Sequence, residues 1–272
     1  MADSGPLNEP YLHGHHGSVL EAHAKRTAEA DAAFFLPFLK PGMRLLDVGC
    51  GPGTITQGLA QRTAPGSAIG LDVSADAIEA ARARLTQSEL PLAFEVGNIY
   101  APRFAARSFD AVFAHQLLQH LGRPVDALKS MGTLVAKGGV VGVRDVDWGS
   151  ATYYPVSEGM GNFLRLYRAV ARRDGGEPDA GRYLRHWVRE AGLTELRVSA
   201  SAVSYADAEA TRVWAESFAT RTLHSSIADK AKEYGLATQA ELEDISAAWR
   251  EWGAYPDAFF SFSHTEIVAK AG

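Results

Sequence analysis

Between residues 43 and 63 the chain passes from an apolar run, Met43-Arg44-Leu45-Leu46-Asp47-Val48, through Gly49-Cys50-Gly51-Pro52-Gly53 into a helical pattern that ends at Thr63. The first segment reads as a buried parallel strand. A strand without a polar face has to be covered on both sides, and a parallel neighbour is reached only through a crossover helix, so this junction commits the chain to an α/β fold. The glycine-rich turn between strand and helix also lets the main chain approach a ligand closely, because no Cβ stands in the way. Asp72 follows Gly53 by nineteen residues and sits within the next apolar strand, Gly70-Leu71-Asp72-Val73. A carboxylate there can accept from both hydroxyls of a ribose. Turn and carboxylate together predict a cofactor that contains a nucleoside.

The order of elements supports this class. Ser18 to Leu39 reads as a helix capped by Ser18 and broken near Pro37. Strands and helices then alternate: Leu45–Val48, Thr54–Arg62, Ser67–Leu71, Ala75–Leu85, Leu92–Val96, Phe109–Ala114, Pro124–Val135 and Gly139–Arg144. The expected fold is a doubly wound, mostly parallel sheet with helices on both faces. After Asp145 the alternation breaks. Helices are expected over Val156–Arg173 and Ala180–Ala191, a strand over Leu193–Val203, two or three helices within 207–252, and a last strand over Ala258–Val268. With 272 residues, 46% of them hydrophobic, the chain suffices for one large domain. It divides into an N-terminal arm and helix over 1–40, a cofactor-binding core over 41–145, and cap elements over 145–178 and 205–255.

Composition narrows the partners. The net charge is −5 with both signs interspersed, and without a basic stripe nucleic acid is not expected. The single cysteine, Cys50, leaves no internal disulfide or cysteine-based zinc site and fits a reducing cytoplasm. No apolar run approaches the roughly 18 residues of a membrane span, and Met1 to Pro10 has no signal-peptide core.

The glycine spacing separates nucleoside cofactors. The dinucleotide fingerprint Gly-x-Gly-x-x-Gly is met in neither frame, since its third glycine would fall at Thr56 or at Thr54. Three further features accompany the turn: Asp47 two residues before the first glycine, Gly97-Asn98-Ile99 after the third strand, and Ser108-Phe109-Asp110-Ala111-Val112 opening the fourth. On these motifs residues 40–145 resemble the class I S-adenosylmethionine-dependent methyltransferases, most closely the ubiquinone/menaquinone-biosynthesis C-methyltransferase-like group. Tyr11-Leu12-His13-Gly14-His15-His16 and Gly175 to Arg182 are similar to stretches of the same group. The resemblance implies a seven-stranded Rossmann-like sheet with an antiparallel last strand, and S-adenosyl-L-methionine as cofactor. It implies that Gly49 and Gly51 line the methionine and ribose portion, that Asp72 holds the ribose hydroxyls, and that Val73 packs on adenine. Asn98 and Ile99 then address the adenine edge, and His115 and Gln116 face the methionine end. The position of Asn98 is often Asp in the family; an amide carbonyl still accepts from the adenine amine.

Outside the cofactor site, the N-terminal histidines have weak metal-ligand spacing and no acidic or cysteine partner nearby, so no metal is expected. The arm is read as closing over the cofactor, with Tyr11 and His15 touching it, or equally as carrying plain surface histidines. His115 and Asp145 are the candidates for catalysis, either by orienting or by deprotonating a substrate. Asp145 and Asp147 are equally well read as partners of arginines such as Arg144 or Arg182. The aromatic residues of the C-terminal half, among them Trp148, Tyr153, Tyr154, Tyr167, Trp187, Trp214, Trp249 and Trp252, are expected mainly in the cap core, with a few left to face a flat, apolar small molecule. The expected activity is methyl transfer to such an acceptor. The alternatives are a binding module or cyclisation catalyst on the same fold, and, less favoured, a nicotinamide-dependent oxidoreductase.

Overall fold

The computed structural model describes residues 26–85 and 89–271. Its sheet contains β1 (Leu45–Val48), β2 (Ala68–Asp72), β3 (Leu92–Val96), β4 (Phe109–His115), β5 (Val135–Tyr154), β6 (Thr194–Tyr205) and β7 (Phe259–Lys270). They lie in the order β3-β2-β1-β4-β5-β7-β6. The pairs from β3 through β5 are parallel, whereas β7 runs antiparallel to both β5 and β6. This is the seven-stranded, mostly parallel sheet with an antiparallel last strand that the sequence predicts.

The helices are α1 (Ala28–Asp31), α2 (Thr54–Thr63), α3 (Ala75–Arg84), α4 (Pro124–Leu134), α5 (Glu158–Arg173), α6 (Ala180–Glu190), α7 (Ala208–His224), α8 (Ser226–Glu233) and α9 (Gln239–Gly253). Side chains alternate across a strand, so each central strand feeds two cores. Leu45, Ala111, Phe113, Val140 and Val268 join Phe34, Phe35, Ile55 and Leu59 on one face. Leu46, Val112, Ala114, Val141, Val143 and Ile267 join Leu128, Met131, Leu184 and Val188 on the other. A third core lies under the cap, where Trp148, Tyr167, Phe218, Trp249, Phe260 and Phe262 are all buried together. Of the aromatics singled out in the sequence, Trp148, Tyr167, Trp249 and Trp252 are buried in this core and Tyr153 and Trp214 pack against it, whereas Trp187 packs on the opposite core and Tyr154 is exposed.

Two expectations are corrected. Within the described residues the first helix stops at Asp31, and a short 3-10 turn, Leu36–Phe38, leads toward β1; Pro37 stands at the start of that turn. Ser18 lies outside the described residues. The fifth strand does not end near Arg144 but continues through Asp145, Val146, Asp147 and Trp148 to Tyr154, paired with β7 across an irregularity between Asp147 and Thr152. The antiparallel partner β7 carries the strand past Gly149 and Ser150. The helical part of the first cap segment therefore begins only at Glu158.

Candidate active site

The turn after β1 is built from main chain. Gly49, Gly51 and Gly53 all have positive φ, at 71°, 52° and 78°. A Cβ on Gly49 would stand 2.9 Å from the Leu117 side chain, whereas one on Gly51 would meet nothing within 4 Å and would occupy open space. Gly49 is therefore required by packing as well as by its backbone, and Gly51 leaves a cradle that a side chain would fill. Asp72 is drawn into the turn: its Oδ2 accepts from the Gly51 N–H at 2.9 Å and its Oδ1 from the Ser74 N–H at 2.9 Å. A carboxylate has about four lone-pair directions, so two main-chain bonds orient it and leave capacity for a diol. Val73 beside it is 53% exposed, as is Val96 at 51%, opposite Asp72 in the β2–β3 register. Two solvent-facing valines next to an oriented carboxylate suit an apolar base beside its ribose. Val96 was not singled out by sequence reasoning; an apolar residue at the open end of an edge strand is the signal that would have found it.

Behind the turn Asp47 is buried and accepts from Thr56 Oγ1 at 2.6 Å. Burial pushes its carboxyl up to about 7, against the Thr56 bond, and nearby Asp72 adds to the rise. Asn98 spends one carbonyl lone pair on the Tyr100 N–H at 2.9 Å, and the Ile99 side chain is buried in the core. Cys50 is buried too, and its thiol is held far above its ordinary range by that burial. Tyr11, His13, His15 and His16 lie outside the described residues.

Where β4 ends, the adjoining middle stretches of β5 and β7 carry a second arrangement, built from side chains. His115 pairs with Arg144 in register, and Arg144 pairs with Glu266, so all three point to the same face of the sheet. Arg144 is only 2% exposed. Its guanidinium meets Glu266 Oε1 at 3.3 Å, Asp31 Oδ1 at 3.3 Å and Ser201 Oγ at 3.3 Å, and lies 3.5 Å from His115 Nδ1. Glu266 also accepts from Ser199 at 2.8 Å and Ser201 at 2.6 Å. His115 Nε2 is 3.7 Å from Asp31, and the His115 ring stacks toward that of His264 with centroids 6.1 Å apart. Gln116 follows with φ of +50°, a conformation uncommon for a residue with a Cβ. It is held there by its own N–H on the Arg144 carbonyl at 2.8 Å and by both ends of its amide, which reach Arg26 at 2.5 Å and His264 Nε2 at 2.6 Å. Of this group the sequence singled out His115 and Gln116, and weighed Arg144 only as an aspartate's partner. Arg26, Asp31, Ser201, His264 and Glu266 were missed; Phe260, Phe262, His264 and Glu266 at a spacing of two were the available signal.

Strand periodicity separates the other candidates. Asp145 and Asp147 project to the face opposite Arg144, so neither is its partner. Asp147 is clamped by Arg182 from α6 through two bonds of 2.8 and 2.7 Å. Asp145 is 1% exposed and accepts at Oδ2 from the Leu118 N–H at 2.8 Å. Burial pushes it up to about 7, opposed by main-chain N–H groups of Leu118, Gln119 and Val146. It holds the short turn Leu118–His120 that follows β4 and faces away from the His115 cluster.

A sequence model of a methyltransferase domain matches residues 39–177. Almost the whole chain is similar to an uncharacterized methyltransferase of Schizosaccharomyces pombe, 33% identical over 270 residues and 96% of each chain. It is similar over 99% of each chain, at 29% identity, to the probable methyltransferase ltbC of Aspergillus luteorubrus. Among solved structures it superposes on the [4+2]-cyclase SpnF with a TM-score of 0.52 and 20% identity, covering 93% of this chain and 80% of that one. It also superposes on phosphoethanolamine N-methyltransferase 2 of Haemonchus contortus in complex with S-adenosyl-L-methionine, with a TM-score of 0.56 and 17% identity, covering 90% of this chain and 53% of that one. At those identities the structural likenesses establish the fold.

Proposed function

The chain belongs to the class I S-adenosylmethionine-dependent methyltransferases, and from that premise we propose that it methylates a small molecule seated between the glycine turn and the side-chain cluster formed where β4 ends against β5 and β7. The observation that carries this reading is a juxtaposition. Leu117 stands against Gly49 of the turn, and its neighbour Gln116 reaches His264 of the cluster. Two adjacent residues thus join the two halves. In open α/β sheets ligands lie beyond the carboxyl ends of the strands, which is where both halves are.

S-adenosyl-L-methionine brings a methyl group on a sulfonium already activated for in-line displacement. The residues of the chain then have to bind, orient and keep out water. Asp72 and Gly51 would hold the ribose, with Gly49 alongside, and Val73 the base, with Asn98 and Ile99 at its edge. His115 and Gln116 would meet the methionine end, and Asp145 would act at one remove by fixing the turn after β4. The helical segments within 156–178 and 205–255 would select the acceptor. A cytoplasmic enzyme fits the reducing chemistry of a lone buried thiol; among the described residues no helix is long and apolar enough to cross a membrane. Closeness to the quinone-biosynthesis group is part of the proposal and rests on residues 40–145.

The test pairs binding with turnover. S-adenosylhomocysteine should raise the melting temperature of the native chain, and Gly51→Val should lose that shift while remaining folded, because its branches enter the cradle and its φ becomes strained. A panel of aromatic and isoprenoid acceptors, read by mass spectrometry for a gain of one methyl, then identifies the substrate. A full thermal shift in Gly51→Val would remove the cofactor from this turn. Cofactor binding with no methyl transfer across the panel would favour a fold reused for other chemistry, as the name of the SpnF cyclase illustrates.

A further inference from the structure

The donors and acceptors around His264 leave one proton without a destination. Arginine can only donate, so Arg26 at 2.5 Å fixes the Gln116 carbonyl oxygen on its own side and turns the amide nitrogen toward His264. An amide nitrogen also only donates. His264 Nε2, 2.6 Å away, must therefore accept, and a neutral imidazole then carries its proton on Nδ1. His264 is neutral because burial first, then the nearby charges of Arg144 and Arg26, hold it down to about 2. The residue is 1% exposed, and Nδ1 has no hydrogen-bond partner among the described residues. A buried N–H without an acceptor is costly and uncommon.

Glu266 and Ser201 flank His264 on the Arg144 side, whereas toward Phe262 and the cap its surroundings are apolar. The His264 ring lies 5.3 Å from that of Phe262. Phe262 in turn stacks with Trp214 at 6.0 Å, and Trp214 with Tyr205 at 4.0 Å. Trp214 and Tyr205 are only partly buried, so the wall keeps an open part. Tyr205 pairs with Phe260 and Ser201 with His264 in the β6–β7 register, so Tyr205, Phe262 and His264 share one face of the sheet and the wall and the donor lie on the same side.

We infer that His264 Nδ1–H is a recognition point for the methyl acceptor, donating to an oxygen carried on a flat, apolar body that lies along Phe262, Trp214 and Tyr205. The inference rests on the reading that the acceptor sits beside this cluster, and it specifies the acceptor's class: an aromatic or conjugated molecule with a carbonyl, ether or hydroxyl oxygen. It also assigns His264 a role that is not proton abstraction, since Nδ1 already holds its proton and Nε2 is occupied by Gln116. His264 is thus a specificity residue, set in its tautomer by Arg26 through Gln116.

The experiment uses two near-isosteric probes, 2-acetylnaphthalene and 2-ethylnaphthalene, in equilibrium dialysis against the full chain saturated with S-adenosylhomocysteine. The wild type should bind the ketone about tenfold more tightly, because the ethyl compound leaves the buried donor unmatched. In His264→Phe the ratio should fall below about twofold. His264→Asn places an amide nitrogen near the position of Nδ1 and should recover a ratio of at least about threefold. A wild-type ratio near one, an unchanged ratio in His264→Phe, or no recovery in His264→Asn would each overturn the donor role. The melting-temperature shift given by S-adenosylhomocysteine is read in parallel. If that shift is present and the ratio fails, only this inference falls. If the shift is absent from the wild type, the reading on which it rests falls with it.

Discussion

In the turn after β1 the polar groups that matter are main-chain N–H groups, exposed by glycines in left-handed conformations and locked by one carboxylate, Asp72. Where β4 ends against β5 and β7 they are side chains, drawn from α1, β4, β5, β6 and β7 and neutralising one another in the interior. The first arrangement needs little beyond a contiguous strand-turn-helix and the next strand. The second exists only because β7 enters the sheet antiparallel between β5 and β6 and carries Glu266 to Arg144, 122 residues away. A site made of backbone can serve a whole family whose cofactor is constant. A site made of side chains is where one member can differ from the next, as acceptor choice requires.

The sharpest way to break this division is at Asp72. Asp72→Ala removes a charged acceptor from two ribose hydroxyls, each bond worth roughly 1.5–3 kcal/mol. S-adenosylhomocysteine affinity, measured by calorimetry, should fall by about 100-fold or more. The wild-type preference for a ketone over its ethyl analogue should persist once the variant is saturated. Affinity within a factor of about three of wild type would show that the carboxylate serves the turn and not the ligand.

Glu266→Ala probes the other half. It leaves Arg144 buried with Asp31 as its remaining carboxylate partner. Breaking a buried pair costs about 3–5 kcal/mol, and the surviving partner puts this case at about 3. Denaturant unfolding should show that loss, with S-adenosylhomocysteine affinity falling far less than in Asp72→Ala, because Glu266 reaches the methionine end only at second hand, through Arg144 and His115. A cofactor affinity that falls in step with stability would mean that the two halves are one unit.

What was legible in the sequence follows the same line. Glycines, Asp72 and the alternation of elements are local signals; they carry the parallel α/β class and the family resemblance that implies the cofactor. His115 and Gln116 were visible because they directly follow a clear strand. His264 and Glu266 stand at alternate positions of the last strand, and nothing local says that β7 is central rather than at the edge. The error at Asp145 has the same origin. With strand five ended early, Arg144 and Asp145 seem free to pair; with the strand continued, alternation sends them to opposite faces. Arg144 then finds Glu266, and Asp145 finds the Leu118 N–H.

Asp145 offers the smallest effect and a signed one. Its carboxyl is pushed up to about 7 by burial, well above its unfolded value. The folded state therefore holds a proton that the unfolded chain has released. The stability this contributes is fully present below the unfolded pKa near 4 and is lost as pH rises through about 7. Asp145→Asn keeps the shape, stays neutral at every pH and can still accept from the Leu118 N–H through its amide oxygen. Every other titrating group is common to both chains, so the difference between their melting temperatures isolates Asp145. Between pH 5 and pH 8 that difference should move in favour of the variant by a few degrees. A gap that stays constant across this range would mean that Asp145 ionises as an ordinary carboxylate. It would then be a charged group held by the turn after β4 rather than a neutral clamp beneath it, and a role for it in orienting or deprotonating the acceptor would regain its footing.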